Sequence, residues 1–110
     1  MSEEVKQKIC YLNRSIFAGS MHNIKQIETK SGKPMCVFSV RVFEKHGEKD
    51  NVTFFNCAAY SGIAETILKY GYDKRPCFVE AKFDTYKDAE GTDRFSFKVS
   101  EIKLLGDRVA

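Results

Sequence analysis

Tryptophan is missing from this 110-residue chain altogether, and proline occurs twice, histidine twice and cysteine four times. Each shortage excludes something. Two prolines and seven glycines are too few for a collagen-like or low-complexity chain. The apolar runs are short, Cys57-Ala58-Ala59-Tyr60 among them. None approaches the ~20 residues of a membrane-spanning helix. The start, Met1-Ser2-Glu3-Glu4-Val5-Lys6, is charged and has no apolar stretch behind it. No secretory signal is therefore expected. Cys10, Cys36, Cys57 and Cys77 form no C-x-x-C pair, the nearest two standing 20 positions apart. That spacing fits no zinc site. The expected state is four reduced thiols packed as small hydrophobes in a reducing cytoplasm.

Catalytic signatures are missing too. Gly32-Lys33 resembles the end of a phosphate loop, but the upstream Gly is lacking and Pro34 stands where a Ser or Thr should hold the metal. Asp88, Glu90 and Asp93 resemble a calcium loop, but Asp93 occupies the Gly position and Val99 the position of the bidentate acid. His22 and His46 have no H-x-x-H or H-x-x-E partner, and no Gly-x-Ser-x-Gly elbow exists. Asn13-Arg14-Ser15 and Asn51-Val52-Thr53 are chance sequons on a chain without a secretory route. An enzyme is not expected, nor is a cofactor or a bound metal.

What is present is alternation. The chain is 43% hydrophobic and 30% charged, a globular composition, and its length allows one domain. Residues 1–7 read as a charged leader, 8–106 as the folded domain and 107–110 as a short end. Lys8 to Ser20 is β-like with Gly19 as a stop, and Ile24 to Glu28 is a short strand of its own. Thr29 to Pro34 is a turn. Met35 to Phe43 alternates most clearly, with Cys36, Phe38, Val40 and Val42 on one side and Val37, Ser39, Arg41 and Phe43 on the other. Glu44 to Asn51 reads as a polar loop. Val52 to Tyr60 is a strand with Phe54, Asn56, Ala58 and Tyr60 on one face. Ser61 is placed to cap a helix from about Gly62 to Tyr70, which buries Ile63, Ala64, Ile67 and Leu68 and ends at Gly71. Pro76 to Tyr86 groups Cys77, Val79, Ala81 and Phe83 against Phe78, Lys82 and Tyr86. After a loop from Lys87 to Asp93, Arg94 to Leu105 is the last strand.

Five strands with one helix between the third and fourth predict an all-β chain of the OB-fold type: a five-stranded Greek-key barrel plugged at one end by the helix. An SH3-like barrel would lack the helix, and a split βαβ fold would need a second. The net charge of +3 is mild, so the placement of the bases matters more than their number. Outward positions, which should be polar, carry Phe43, Phe54, Tyr60, Phe78 and Tyr86 with Arg41 and Lys82 among them. Exposed rings interleaved with cations suit single-stranded nucleic acid, because rings stack on bases and cations follow phosphates. The candidate stacking residues are Phe54, Tyr60, Phe43, Tyr86 and Phe78. The candidate backbone contacts are Arg14, Lys33, Arg41, Lys45, Lys82, Lys87 and Arg94.

Several stretches stand in a familiar order: Leu12-Asn13-Arg14-Ser15-Ile16-Phe17-Ala18-Gly19-Ser20; Ser31-Gly32-Lys33-Pro34; Phe54-Phe55-Asn56-Cys57-Ala58-Ala59-Tyr60-Ser61-Gly62-Ile63-Ala64-Glu65; Phe78-Val79-Glu80-Ala81; Gly91-Thr92-Asp93-Arg94-Phe95; and Ile102-Lys103-Leu104-Leu105-Gly106. With these the chain resembles the bacterial and phage single-stranded DNA-binding proteins from about Lys8 to Gly106. The resemblance implies binding of single-stranded DNA in replication, recombination or repair. It puts the family's two stacking aromatics of the third strand on Phe54 and Tyr60, a further aromatic on Phe78 and a basic position on Arg14. It also implies a homo-oligomer, dimer or tetramer, in the cytoplasm of a bacterial cell or phage-infected host, with replication proteins as partners.

The chain departs from the family where Trp is usual. Near Lys45-His46 that residue has no counterpart, and after the fourth strand the hairpin is shorter, leaving Tyr86 as the substitute. The long tail with an acidic, Phe-ended tip is not seen after Leu105-Gly106-Asp107-Arg108-Val109-Ala110, as expected of a phage-like or shortened member. A competing expectation is an OB-fold whose exposed rings form a protein-interaction surface with little nucleic-acid affinity. The choice between DNA and RNA turns on contacts to the 2′-hydroxyl, which no sequence feature shows.

Overall fold

The computed structural model describes residues 12–106. The leader at 1–7, the residues 8–11 assigned to the first strand, Cys10 among them, and the short end at 107–110 lie outside the described residues. Five strands run in the order β1 (Ser15–Ile27), β2 (Met35–His46), β3 (Lys49–Tyr60), β4 (Pro76–Lys87) and β5 (Asp93–Leu104), with α1 (Ser61–Tyr70) between β3 and β4. They close into a barrel of spatial order β1-β2-β3-β5-β4. Every neighbouring pair is antiparallel except β3 and β5, which meet in parallel at Cys57–Phe97 and Ala58–Lys98 alone. This is the OB-fold.

Alternation fills the barrel. Cys36, Phe38 and Val40 from β2, Cys57 and Ala59 from β3, Cys77, Val79 and Ala81 from β4, and Phe17, Met21 and Val99 form one buried cluster with Ala64 and Ile67 of α1. Half-buried Ile63 and Leu68 pack against it from the helix. Burial disfavours the charged form of a thiol, so Cys36 and Cys77 are each pushed up to about 11, the latter offset slightly by a backbone hydrogen bond at Gly19. Desolvation, reinforced by nearby Cys77, pushes Cys57 up as well. These three unpaired thiols behave as core hydrophobes rather than nucleophiles. Among the described residues no helix is long and apolar enough to cross a membrane.

The structure corrects four details of the sequence reading. From Ser15 onward, the two segments expected at Lys8–Ser20 and Ile24–Glu28 are one continuous strand, β1, with Leu12, Asn13 and Arg14 ahead of it outside any strand. Gly19 does not stop it. The strand pairs with β4 as far as Ser20 and with β2 from Ser20 onward. A Cβ at Gly19 would run into the backbone carbonyl of Arg41, so only glycine fits where β1 changes partners. Farther along, the register shifts between His22 and Lys25, with Asn23 at φ 56°.

The polar loop expected at Glu44–Asn51 is instead regular hairpin. Lys45 pairs with Asp50 and His46 with Lys49 across a turn at Gly47, whose φ of 64° suits a tight reversal. Charged residues are tolerated there because the hairpin stands clear of the core. Ser61 makes no capping hydrogen bond. The N-cap position falls on Tyr60, in extended conformation, and Ser61 begins the helix at φ 52°. Gly71 does end the helix, its N–H bonding Ile67 O. Finally, Phe83 shares the inward face with Ala81 but is exposed, because β4 and β5 run past the barrel as an arm at that point.

One buried charge went unnoticed in the sequence. Arg75 donates from Nη1 to Tyr70 O (2.8 Å), from Nε to Leu105 O (3.0 Å) and from Nη2 to Gly106 O (3.3 Å). Its guanidinium lies 5.3 Å from the Tyr72 ring centroid. It thereby ties a carbonyl at the end of α1 to two beyond β5.

Candidate nucleic-acid interface

The register of β2 and β3 builds the outward face as a ladder. Met35 stands opposite Tyr60, Val37 opposite Ala58, Ser39 opposite Asn56, Arg41 opposite Phe54 and Phe43 opposite Val52. Ser39 Oγ donates to Asn56 Oδ1 at 3.1 Å, linking the middle rung. Phe54 is 53% exposed and Tyr60 42%, so both rings point away from the core, as their even positions require. Six residues of strand put them about 20 Å apart. Phe43 is exposed on the same face, toward the hairpin tip.

The barrel order extends this face onto β5 before β4. Lys25 of β1 pairs with Val37, Val37 with Ala58, Ala58 with Lys98 and Lys98 with Lys82. A single transverse row thus crosses all five strands, with cations at both ends and small apolar side chains between. The arm carries Tyr86 opposite Arg94 on the same side. Between the β2–β3 floor and the arm lies an open groove of about 910 Å³. Asn23 and Lys25 form one bank, and Asp84, Tyr86, Asp93, Arg94, Phe95 and Ser96 the other. Beyond Tyr60 a smaller groove of about 530 Å³ continues past Gly62, Ile63 and Thr66 of α1 and Ser100 to Ile102 of β5. Tyr60 lines both.

Not every candidate joins this face. Phe54, Tyr60, Phe43, Arg41 and Lys45 share the β2–β3 surface, and Tyr86, Lys82 and Arg94 reach it from the arm. Lys33 is exposed in the turn before β2. Phe78 is the exception among the rings. It is half-buried between Ala18 and Lys103 on β4, two strands away from the β2–β3 pair in either direction around the barrel. Arg14 belongs to that far wall too, bonded to Glu80 at 3.1 Å. Lys25, Lys98 and Phe95 were missed, although the polar period Arg94, Ser96, Lys98 could have marked the outer face of the last strand.

Two of the arm's cations are engaged by acids. Lys87 meets Asp93, and Arg94 Nε donates to Asp88 Oδ2 at 2.9 Å. Asp88 Oδ1 also accepts from the N–H groups of Glu90 (2.9 Å) and Thr92 (3.0 Å), while Gly91 turns at φ 81°. Arg94 first, then the loop N–H groups, hold the Asp88 carboxyl below the usual carboxylate range. A depressed carboxylate supports folded structure above its ordinary pKa and ceases to as pH falls through the lowered value. The arm tip is therefore expected to stay ordered at neutral pH and to loosen only below about pH 4. An NMR titration of the Glu90 and Thr92 amides checks this. A midpoint at or above the ordinary aspartate value would contradict it.

No family model matches the chain, and no curated protein matches it in sequence. Solved structures are similar to it in fold, among them the structure described as Plasmodium falciparum SSB complex with ssDNA. The two share a TM-score of 0.77 at 16% identity, over 91% of this chain and 100% of that one. At that identity the likeness concerns the fold.

Proposed function

We propose that this protein binds single-stranded DNA without regard to sequence and shields it during replication, recombination or repair, with no catalytic step. The observation that carries the reading is the outward ladder. Exposed rings at Phe54 and Tyr60 lie on one continuous surface with Arg41, Lys25 and Lys98. Rings stack on any base, which gives affinity without sequence choice. The similar OB-fold in complex with ssDNA supports it at the level of fold.

Fluorescence anisotropy with labelled dT oligomers of several lengths, at several salt concentrations, tests this directly. Affinity should rise with length until one barrel is filled, at about 4–16 nucleotides. The log of the binding constant should fall linearly with log salt, by roughly 0.7 per phosphate contacted. Absence of binding, or binding indifferent to salt, would reject the proposal. A ribo-oligomer competitor in the same titration decides between DNA and RNA.

Association of copies of this chain, as a dimer or tetramer, belongs to the same reading. Phe83 and Phe95, whose rings are 5.6 Å apart, leave an apolar area open on the arm, with Ile16 and Leu12 also exposed. Light scattering after size exclusion measures the subunit number, and a monomer would remove this part.

A further inference from the structure

We propose that Lys98 and Lys82 together form a phosphodiester subsite beside Tyr60, where one backbone phosphate of the bound strand is shared by both ammonium groups. The inference rests on the reading of this face as a single-stranded DNA surface and adds a residue, Lys98, that the sequence did not single out.

The register states the problem that the phosphate solves. Lys82 stands directly opposite Lys98, and the next pair, Ala81 with Val99, is buried. Successive residues of a strand point to opposite faces, so both lysines point outward on the same side. Directly opposed residues have Cβ atoms about 5 Å apart, and like charges at that separation destabilise a sheet. An acid would normally stand nearby to offset this.

Here none does. Among the described residues, ion pairs form at Arg14, His22, His46, Lys87 and Arg94, and neither Lys82 nor Lys98 takes part in one. The nearby acids are engaged by other groups or stand apart from the pair. Glu80 is held by Arg14. Asp84, opposite Ser96, is the nearest acid on the same face, one outward step toward the arm tip, and makes no ion pair with either lysine. Glu101 lies across the register shift and lines the smaller groove. Among the described residues, two cations therefore face each other with neither in an ion pair, at the end of the transverse row.

What lies beside them identifies the anion. Lys98 Nζ sits 5.4 Å from the centroid of the Tyr60 ring. Lys98 is also the parallel partner of Ala58, whose small side chain leaves the floor low. Among the described residues, Tyr60 is the one side chain that lines both grooves. A base stacked on Tyr60 carries its own phosphate within reach of these ammonium groups. A free anion would lack the base, and an acidic side chain would lack the ring contact. The subsite thus couples stacking to charge through Lys98.

The test uses the Lys98→Gln, Lys82→Gln and double variants, with Lys103→Gln on the far wall as control. Each is titrated with labelled dT oligomers over a range of salt and melted without DNA at low salt. Because one phosphate is shared, the double variant should lose about 0.7 from the salt slope rather than twice that. Both single variants should bind more weakly, yet melt at a higher temperature without DNA, since each removes one of two opposed charges. Lys103→Gln should leave the slope unchanged.

A slope loss of two contacts would overturn the sharing of one phosphate. An unaltered slope in the double variant, an equal loss in Lys103→Gln, or a Tm that does not rise would overturn the subsite. If the wild-type protein fails to bind dT at all, the parent reading falls and this one with it. If it binds and the double variant keeps the full slope, the subsite alone falls.

Discussion

Replacing Phe54 and Tyr60 together by Ala is expected to weaken binding to poly-dT by at least about 30-fold. Stacking of a base on an aromatic ring contributes about 1–3 kcal/mol per base, so two rings contribute 2 kcal/mol at the low end. Each 1.4 kcal/mol is tenfold in affinity. Both rings are exposed, so their loss opens no core cavity and the thermal melt should barely move. Tyr60 supplies the N-cap position of α1 through its backbone, without a side-chain capping bond, so truncation leaves the helix start in place. Full affinity in the double variant would show that the strand is not held by stacking on this face. A matching variant at Phe78 should bind as well as the wild type, since that ring stands on the opposite wall.

The largest effect on stability is expected at Gly19. In Gly19→Ala the new methyl would collide with the Arg41 carbonyl, and the neighbour is backbone, which has little freedom to retreat. Forcing atoms into a packed site costs about 1–3 kcal/mol and occasionally more. For a domain of this size each kcal/mol lowers Tm by about 4–8 °C, so a fall of roughly 4–24 °C is expected. Urea and thermal melts read it. Gly62→Ala is the control, because a methyl there meets nothing within 4 Å. A Gly19→Ala protein as stable as the control would mean that β1 does not need glycine to pass from β4 to β2.

The parts of the fold legible in the sequence were those governed by alternation. Cys36, Phe38 and Val40 declared the inward face of β2, and Phe54 and Tyr60 the outward face of β3, because a strand has a fixed period of two. The helix was legible from Ala64 and Ile67 and from Gly71 behind them. Less legible was anything set by pairing between distant strands. Gly19 looked like a stop because its reason for being glycine lies on Arg41, across the sheet. Phe78 looked like a partner of Phe54, since both are outward aromatics. Only the insertion of β5 between β3 and β4 separates them. Lys98 drew no notice for the same reason: its neighbours Tyr60 and Lys82 are far from it in sequence. Lys87 and Arg94 stood among the candidate backbone contacts, but which acids hold them, Asp93 at the start of β5 and Asp88 in the loop before it, depends on a hairpin fold not visible in the letters.

The closure between β3 and β5 has only two register pairs, and its consequence reaches the binding face. With so few ladder bonds at that seam, side chains supply the mortar. Phe55 of β3 and Phe97 of β5 meet edge to face at 5.3 Å, and Phe17 of β1 stacks on Phe55 at 4.3 Å. Phe54 and Phe55 are adjacent, yet one ring serves the solvent side and the other the seam. Sliding β3 by a single residue would exchange them, turning the stacking rings inward and the mortar outward. In a chain without tryptophan, the same alternation that shuts the barrel also decides which rings are left for a ligand.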